Sequence, residues 1–414
     1  MKYKIGVLSL GCPRNLVDAE ALAGRLHAKG YAIVEDISRA QIALVNTCAF
    51  IQDAKRESID AILDLIELKK QGQLKKIIVC GCLAQRYKNL GRLLPEVDAF
   101  IGSQEIVPPA SRFILTPQHY AYLKICEGCI NRCSYCAIPR IKGSLRSLEK
   151  AQVLQQAADL NRQKISELNI IGQDITGFGL DKGTGSQLAG LLKEIVDRTL
   201  NIPWIRLLYL NPRRITDELL ALIAGTNRIC KYIDLPIQHI NDRILKAMNR
   251  GITRRQIADL IKKIRQRIPG VCLRTSLIVG FPAETEGEFN ELLEFTREVK
   301  FERLGVFAYS REEGTPAYHF SGQVPEELKI SRLDRIMAAQ REISARHNLE
   351  LLGRAIPVLI EEKQEGGYIG RSQWDAPEVD GTVYVNTKQA YKPGKIIQVK
   401  ITDTLEYDLV GEPK

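Results

Sequence analysis

Short apolar runs alternate with helical stretches along most of this chain, and that alternation restricts it to parallel sheets whose crossovers are helices. In the first hundred residues the runs are KIGVLSL (4–10), YAIVED, IALVNTC (42–48), KIIVCGC (76–82) and AFIGS (99–103). Between them lie DAEALAGRLHAKG and a long stretch through SIDAILDLIELKK, and together they predict a doubly wound parallel sheet. VPPASRFILTPQ interrupts the pattern and predicts a linker. A second series supplies AYLKI (121–125), LNIIG (168–172), WIRLLYL (204–210), YIDLP (232–236), CLRTSLIVG (272–280) and ERLGVFAYS (302–310). Six strand-helix units suit a partial (β/α)6 barrel, short of the eight that close a full one. A helix around EELKISRLDRIMAAQREISARHNLELLG then leads to AIPVLIEEK, GYIGRS, GTVYVN and KIIQVKITDTLEYDLVGE, short strands with Gly and Asn turns. These predict a small OB-like β-barrel. The expected α/β multidomain division is 1–112, 113–335, a connecting helix over 336–352, and 353–414.

Ten cysteines need an explanation other than disulfides. The 414 residues are 45% apolar and 26% charged, enough for two or three cores without cross-links. The apolar run in MKYKIGVLSLGC is too short for a secretory h-region, and no window reaches about 18 consecutive apolar residues. The expectation is a cytoplasmic protein with no membrane partner. There, cysteines serve as metal ligands, catalytic thiols or small buried hydrophobes. The net charge of +10 permits a polyanionic partner without requiring one.

Four of the thiols lie in KICEGCINRCSYCAIPR (124–140): Cys126, Cys129, Cys133 and Cys136. A zinc ribbon needs a dozen or more residues between ligand pairs so that two knuckles can face each other, and three residues do not allow that. Compact runs with gaps of two and three instead wrap an iron–sulfur cube, whose irons each take one thiolate. Cys129, Cys133 and Cys136 would leave one iron open to a substrate or cofactor. Cys126, at the end of the preceding strand, is assigned to packing. The loop follows AYLKI and so belongs at the C-terminal mouth of the barrel, with the Tyr135 ring beside whatever binds there.

C-x3-C-x2-C with an aromatic before the last Cys, on a six-unit partial barrel, resembles the radical S-adenosylmethionine (SAM) enzymes. The resemblance implies a 4Fe–4S cluster on Cys129, Cys133 and Cys136 whose open iron chelates SAM. It also implies one-electron cleavage of SAM to a 5′-deoxyadenosyl radical, with flavodoxin or ferredoxin as the kind of electron donor.

Cys12, Cys48 and Cys82 each follow the C-terminal end of a strand of the first sheet, the edge where doubly wound sheets bind ligands, and are expected to converge. Cys80, inside its strand, is expected in the core. Two cysteine trios followed by a small barrel resemble the methylthiotransferases along the whole chain. In that family an N-terminal cluster domain precedes a radical SAM domain and a C-terminal TRAM domain. The resemblance implies a second 4Fe–4S cluster on Cys12, Cys48 and Cys82 that carries or donates sulfur. It also implies conversion of C–H to C–SCH3 on either a tRNA adenosine or an aspartate of ribosomal protein uS12. SLGCPRNLVDAE, IDLPIQH, RTSLIVGFPAETE, FAYSREEGTPAY and GRSQWDAPEVDG resemble the ribosomal-protein branch. Charge agrees with that choice: residues 354–414 hold 8 Lys and Arg against 10 Asp and Glu, net −2, with +12 on the remainder. A domain that grips tRNA should be basic.

Gln173 and Asp174 in IIGQDITGFG are either contacts to SAM or substrate or simple turn residues. Gln238, His239, Arg274, Thr275, Gly280 and Pro282 face the same expected site, His239 being as readily a core histidine. Two positions depart from the family pattern: Cys126 stands where Ser is common, and Ala283 replaces Gly in GFPAET.

Overall fold

The computed structural model describes residues 3–103, 112–183 and 185–414; residues 107–111 of the expected linker lie outside them. The first five strands are β1 (Lys4–Ser9), β2 (Ala32–Val34), β3 (Ile42–Thr47), β4 (Lys76–Gly81) and β5 (Ala99–Gly102). They form one parallel sheet in the order β2-β1-β3-β4-β5. All six residues of β3 are buried, because helices cover both faces of a central parallel strand and remove any need for alternation. In this strand order the connections leave β1 in opposite directions, and the crevice lies beyond the carboxyl ends of β1 and β3.

The second sheet starts at β6 (Tyr120–Lys124). Next comes a two-stranded antiparallel ribbon, β7 (Cys126–Glu127) with β8 (Arg146–Ser147), that pinches the base of the cysteine loop. The sheet resumes with β9 (Glu167–Ile171), β10 (Trp204–Leu207), β11 (Ile229–Asp234), β12 (Cys272–Val279) and β13 (Arg303–Ala308). Its order is β13-β12-β11-β10-β9-β6, every neighbour parallel. Outer helices start on strong signals: Thr253 and Thr285 each make a reciprocal capping box, with Gln256 and Glu288. The helix expected over 336–352 runs Glu326–Leu349, because its first half is needed to cover β13 and the helix Glu286–Val299.

Strands β14 (Ala355–Gln364), β15 (Gly367–Ser372), β16 (Val383–Asn386), β17 (Ile396–Thr404) and β18 (Leu409–Pro413) close a barrel in the order β14-β15-β16-β18-β17. The loop between β15 and β16 enters the lumen of the partial barrel. There Trp374 and Ala376 pack with Tyr120, Tyr122, Trp204 and Tyr232, and with Cys230 and Cys272, which accounts for those two thiols as packing. Arg303 meets Asp375 at 2.6 Å and the Tyr232 hydroxyl donates to Asp380 at 2.6 Å. Beneath them, fully buried Glu167 accepts from Arg206 at 2.6 Å and from Arg371 of β15 at 2.5 Å. Removing one partner from such a set leaves an uncompensated buried charge, at a cost of about 3–5 kcal/mol.

Candidate metal centre

Cys12, Cys48 and Cys82 follow β1, β3 and β4, three adjacent strands, so the parallel register brings their thiols to one edge. Gly11 makes the convergence possible. Its φ is +88°, and a Cβ there would lie 2.7 Å from the Cys48 Cβ and 2.9 Å from its Sγ. Buried Asn15 ties the edge together: its Nδ2 donates to the carbonyls of Leu10 (3.2 Å) and Thr47 (3.0 Å), while its Oδ1 accepts from the Cys82 thiol (3.3 Å). Cys80 is fully buried among core side chains, as expected.

Cys129, Cys133 and Cys136 share one loop held by many small contacts. Gly128 has φ +68°, and a Cβ there would meet the Ser144 carbonyl oxygen at 2.1 Å, so the loop enters pressed against its own exit. The backbone of Ser134 bonds Met248 on one side and Ala317 on the other. Asn131 donates to Cys129 Sγ from both its backbone N–H and its Nδ2, each at 3.4 Å, and Arg250 donates to Cys133 Sγ at 3.5 Å. Cys126 is fully buried, its Sγ against Gly172.

One side chain links the first trio to the second sheet. The Arg14 Nε donates to Cys12 Sγ at 3.4 Å, its Nη1 to the Gly172 carbonyl at 3.3 Å, and its guanidinium stacks 4.3 Å over the Tyr209 ring. Burial pushes the Cys12 thiol up, but the charge and hydrogen bond of Arg14, helped by Asn15 and Lys142, outweigh it and set the thiol below its ordinary value. Burial pushes the Cys136 thiol up to about 12, a rise that Arg14 partly offsets. Cys82, also about 12, rises by burial against the opposing field of Lys142. Through Arg14 the carboxyl edge of the first sheet is tied to the turn at Gly172, just past β9 of the second.

A buried charge cluster fixes that juxtaposition. Lys142 contacts Asp18 of the helix Pro13–Ala28 at 2.6 Å, Lys124 of β6 bonds both Asp18 and Glu127, and Gln173 Nε2 donates to Glu127 at 2.7 Å. Burial raises Glu127, yet Lys124 and Lys142 bring it down to about 2. Arg14, Asn15, Asp18, Lys142 and Arg250 carry these contacts; none was read from the sequence as a site residue, Arg14 and Asn15 being noted only as part of the context after Cys12. The only signal for Arg14 and Asn15 was their place directly after Cys12; the others are brought in from remote segments.

The remaining candidates divide. Tyr135 packs on the cluster of Met248, Phe281 and Tyr309. Asp174 is committed internally: Oδ1 caps Thr176, and Oδ2 accepts from Asn131 (2.7 Å) and Arg214 (3.1 Å), so it acts on the loop through Asn131. Gln238 has φ +73°, and its backbone bridges to Leu277 beyond the end of β11. Arg274 is paired with Asp234 and Asp380, each at 3.2 Å, and so clamps the inserted C-terminal loop. His239 is a core histidine, fully buried, its Nδ1 accepting from Asn241 N–H at 3.0 Å. Thr275 donates to the Leu235 carbonyl at 2.9 Å. Gly280 N–H bonds Glu284 at 3.0 Å.

All ten thiols are free. Among the described residues no three His, Cys, Asp or Glu side chains are placed to share a single metal ion. A cube that takes one thiolate on each of three irons needs the sulfurs further apart than one ion does. Two sulfur trios, with Arg and Asn donors aimed at sulfur, fit such a group.

Comparison with known proteins gives this arrangement a family. Residues 4–102 match the uncharacterized protein family UPF0004, 123–296 the radical SAM superfamily and 352–413 the TRAM domain. Ribosomal protein uS12 methylthiotransferase RimO of Thermoanaerobacter sp. (strain X514) is 44% identical over 435 residues, covering 99% of each chain. RimO of Geobacter sulfurreducens is 45% identical over 442 residues, covering 99% of this chain and 98% of its own. The chain belongs to the RimO family. Beyond that family, the fold resembles a radical S-adenosylmethionine methyltransferase, TsrM, from Kitasatospora setae. That match has a TM-score of 0.57 at 15% identity and covers 77% of each chain. The cobalamin-dependent radical enzyme OxsB matches with a TM-score of 0.52 at 14% identity, over 81% of this chain and 56% of its own. Ala283 has a φ of +62°, a left-handed conformation that suits Gly better than Ala.

Proposed function

We propose that this radical SAM enzyme converts an aspartate of ribosomal protein uS12 to its 3-methylthio derivative, using SAM and two 4Fe–4S clusters. Cys129, Cys133 and Cys136 would hold the cluster that binds SAM, and Cys12, Cys48 and Cys82 the one that handles sulfur. The observation that carries the reading is Arg14, bonded both to Cys12 and to the Gly172 carbonyl at the mouth of the barrel, because sulfur insertion requires the radical and the sulfur to meet over one carbon. When bound, the groups supply one-electron cleavage of SAM and a sulfur atom for transfer.

The chain's own residues do the positioning. Arg14 donates to the Cys12 sulfur, favours its ionised form and fixes it against the backbone of the 172 turn. Asn131, locked by Asp174 and Arg214, aims two N–H groups at Cys129, and Arg250 does the same at Cys133. The loop Gln373–Asp380 fills the lumen from beneath, with Trp374 and Ala376 packed among its aromatic side chains. The C-terminal barrel's net negative charge suits a basic ribosomal protein. An electron donor completes the partners, and the cytoplasm is the compartment where uS12 and reduced thiols meet. Among the described residues no helix is long and apolar enough to cross a membrane.

The test is the mass of the uS12 peptide carrying the target aspartate, and of tRNA nucleosides, from cells with and without the gene. Loss of a methylthio group from the peptide alone is expected. Loss from the nucleosides instead would move the same chemistry to tRNA.

A further inference from the structure

A cleft of ≈ 880 Å³ opens between the N-terminal sheet domain and the segment after β13, and none of the six cysteines of the two trios lines it. One wall is the helix Gln52–Lys70, which turns Gln52, Lys55, Arg56 and Ile59 toward the cleft. Its acidic residues Asp53, Glu57, Asp60 and Asp64 fall on the adjoining flank by helical spacing. Five cations line the cleft, and Glu313 is the only carboxylate doing so. Lys55 and Arg86 share the buried carboxylate of Glu312, both at 2.8 Å, whereas Arg56, Lys88 and Arg311 make no ion pair among the described residues. Around them Ile59 is 37% exposed and Leu93 74% exposed. A basic, partly apolar concavity of this kind fits an acidic macromolecule.

The far wall is what selects the partner. Its segment Arg311–Tyr318 is one layer thick: Ala317 N–H bonds the carbonyl of Ser134, between Cys133 and Cys136, at 2.8 Å. Gly314 lies against Arg140, just past Cys136, so closely that a Cβ would overlap its guanidinium. Arg86 donates to the Ala49 carbonyl, beside Cys48, at 2.7 Å. A carrier seated here would be separated from the cysteine loop by a single hydrogen-bonded strand of backbone. RNA fits less well, because the two aromatic rings of the cleft are each already engaged on one face by an arginine, Tyr87 by Arg86 at 5.5 Å and Tyr318 by Arg311 at 4.5 Å.

We infer that this cleft is the docking site of an acidic one-electron carrier protein that feeds the Cys129–Cys133–Cys136 centre. The inference rests on the radical reading above. Per turnover the carrier loses one electron, and SAM gains it as the bond from sulfur to C5′ breaks, with methionine leaving.

The test compares SAM cleavage by the iron-loaded full-length enzyme with two reductants, dithionite and reduced flavodoxin, in wild type and in the double variant Arg56→Glu, Lys88→Glu. Both side chains are exposed and lie outside the cysteine centres. With flavodoxin the variant is expected to lose about tenfold in rate at low salt, and added salt should slow wild type but not the variant. With dithionite the two should match. Equal flavodoxin rates would overturn the docking site, as would a parallel fall with both reductants. So would a defect seen only when whole small subunits replace isolated uS12, which would assign the cleft to ribosomal RNA. Failure of wild type to cleave SAM with dithionite would instead overturn the radical reading itself.

Discussion

The two cysteine trios are built in opposite ways. One is local: three thiols within eight residues, in a loop pinched by the β7–β8 ribbon and braced by Asn131 and Arg250. The other is assembled from the ends of three strands and exists only when a parallel sheet has its register. A local site tolerates distant change, whereas an assembled one depends on everything that sets the sheet edge. The difference also parts the chemistry, since the local trio sits on the barrel and the assembled trio on a separate domain joined to it through Arg14 and the Asp18–Lys142 cluster.

Ligand removal gives the largest effect. Cys129→Ala is expected to reduce SAM cleavage to background, while Cys12→Ala should keep cleavage and lose the methylthio product, both read by chromatography of 5′-deoxyadenosine and peptide mass. If Cys12→Ala lost both activities equally, the division between the trios would break.

Next in size is the support beneath the barrel. Glu167→Ala strips two buried arginines of their partner and should cost about 3–5 kcal/mol in denaturant unfolding of the barrel. The assembled trio, resting on another sheet, should keep its iron under conditions where the barrel loosens. Loss of both in one transition would mean that the two sites are a single cooperative unit.

Arg14→Ala sharpens the link itself. Removing a group that orients a ligand typically costs ~10–100-fold, here in methylthio product with SAM cleavage largely kept. Arg14→Lys should recover little, because a point charge cannot reach Cys12, Gly172 and the Tyr209 face together.

Acid acts on the barrel side. Burial raises Glu167, but Arg371 and Arg206 outweigh it; burial raises Glu361, but His119 and Arg371 outweigh it, so both sit below the usual carboxylate range. Their contribution is present in full above roughly pH 4.3 and is lost as pH falls through the lowered values. Hydrogen exchange in β9 and β14 should rise in that window, less than in Glu167→Ala. An unchanged profile would show that the C-terminal barrel docks without these charges. The smallest effect is Ala283→Gly, which relieves a left-handed Ala next to the Gly322 carbonyl it bonds. A gain of about 0.5–1 kcal/mol is expected, with SAM cleavage unchanged.

The cysteine loop was legible because its spacing is short, so the chemistry is written into neighbouring residues. The assembled trio was legible at one remove, since a strand pattern places each cysteine past a strand end and parallel topology does the rest. Arg274 shows the limit. A basic residue on an inward strand looks like a ligand contact until Asp380, over a hundred positions away, is seen to occupy it. Asp174 likewise reads as a free carboxylate but is spent on Thr176, Asn131 and Arg214.

The sequence by itself determined the strands, the helices, the two sulfur sets and the small barrel, because periodicity and close spacing are local properties of the chain. Only the tertiary structure decided that the loop after β15 fills the lumen, that Arg14 ties Cys12 to the turn at Gly172, and that a basic cleft backs onto the cysteine loop. Those facts depend on which charges from distant segments are buried together, and burial is a property of the packed molecule.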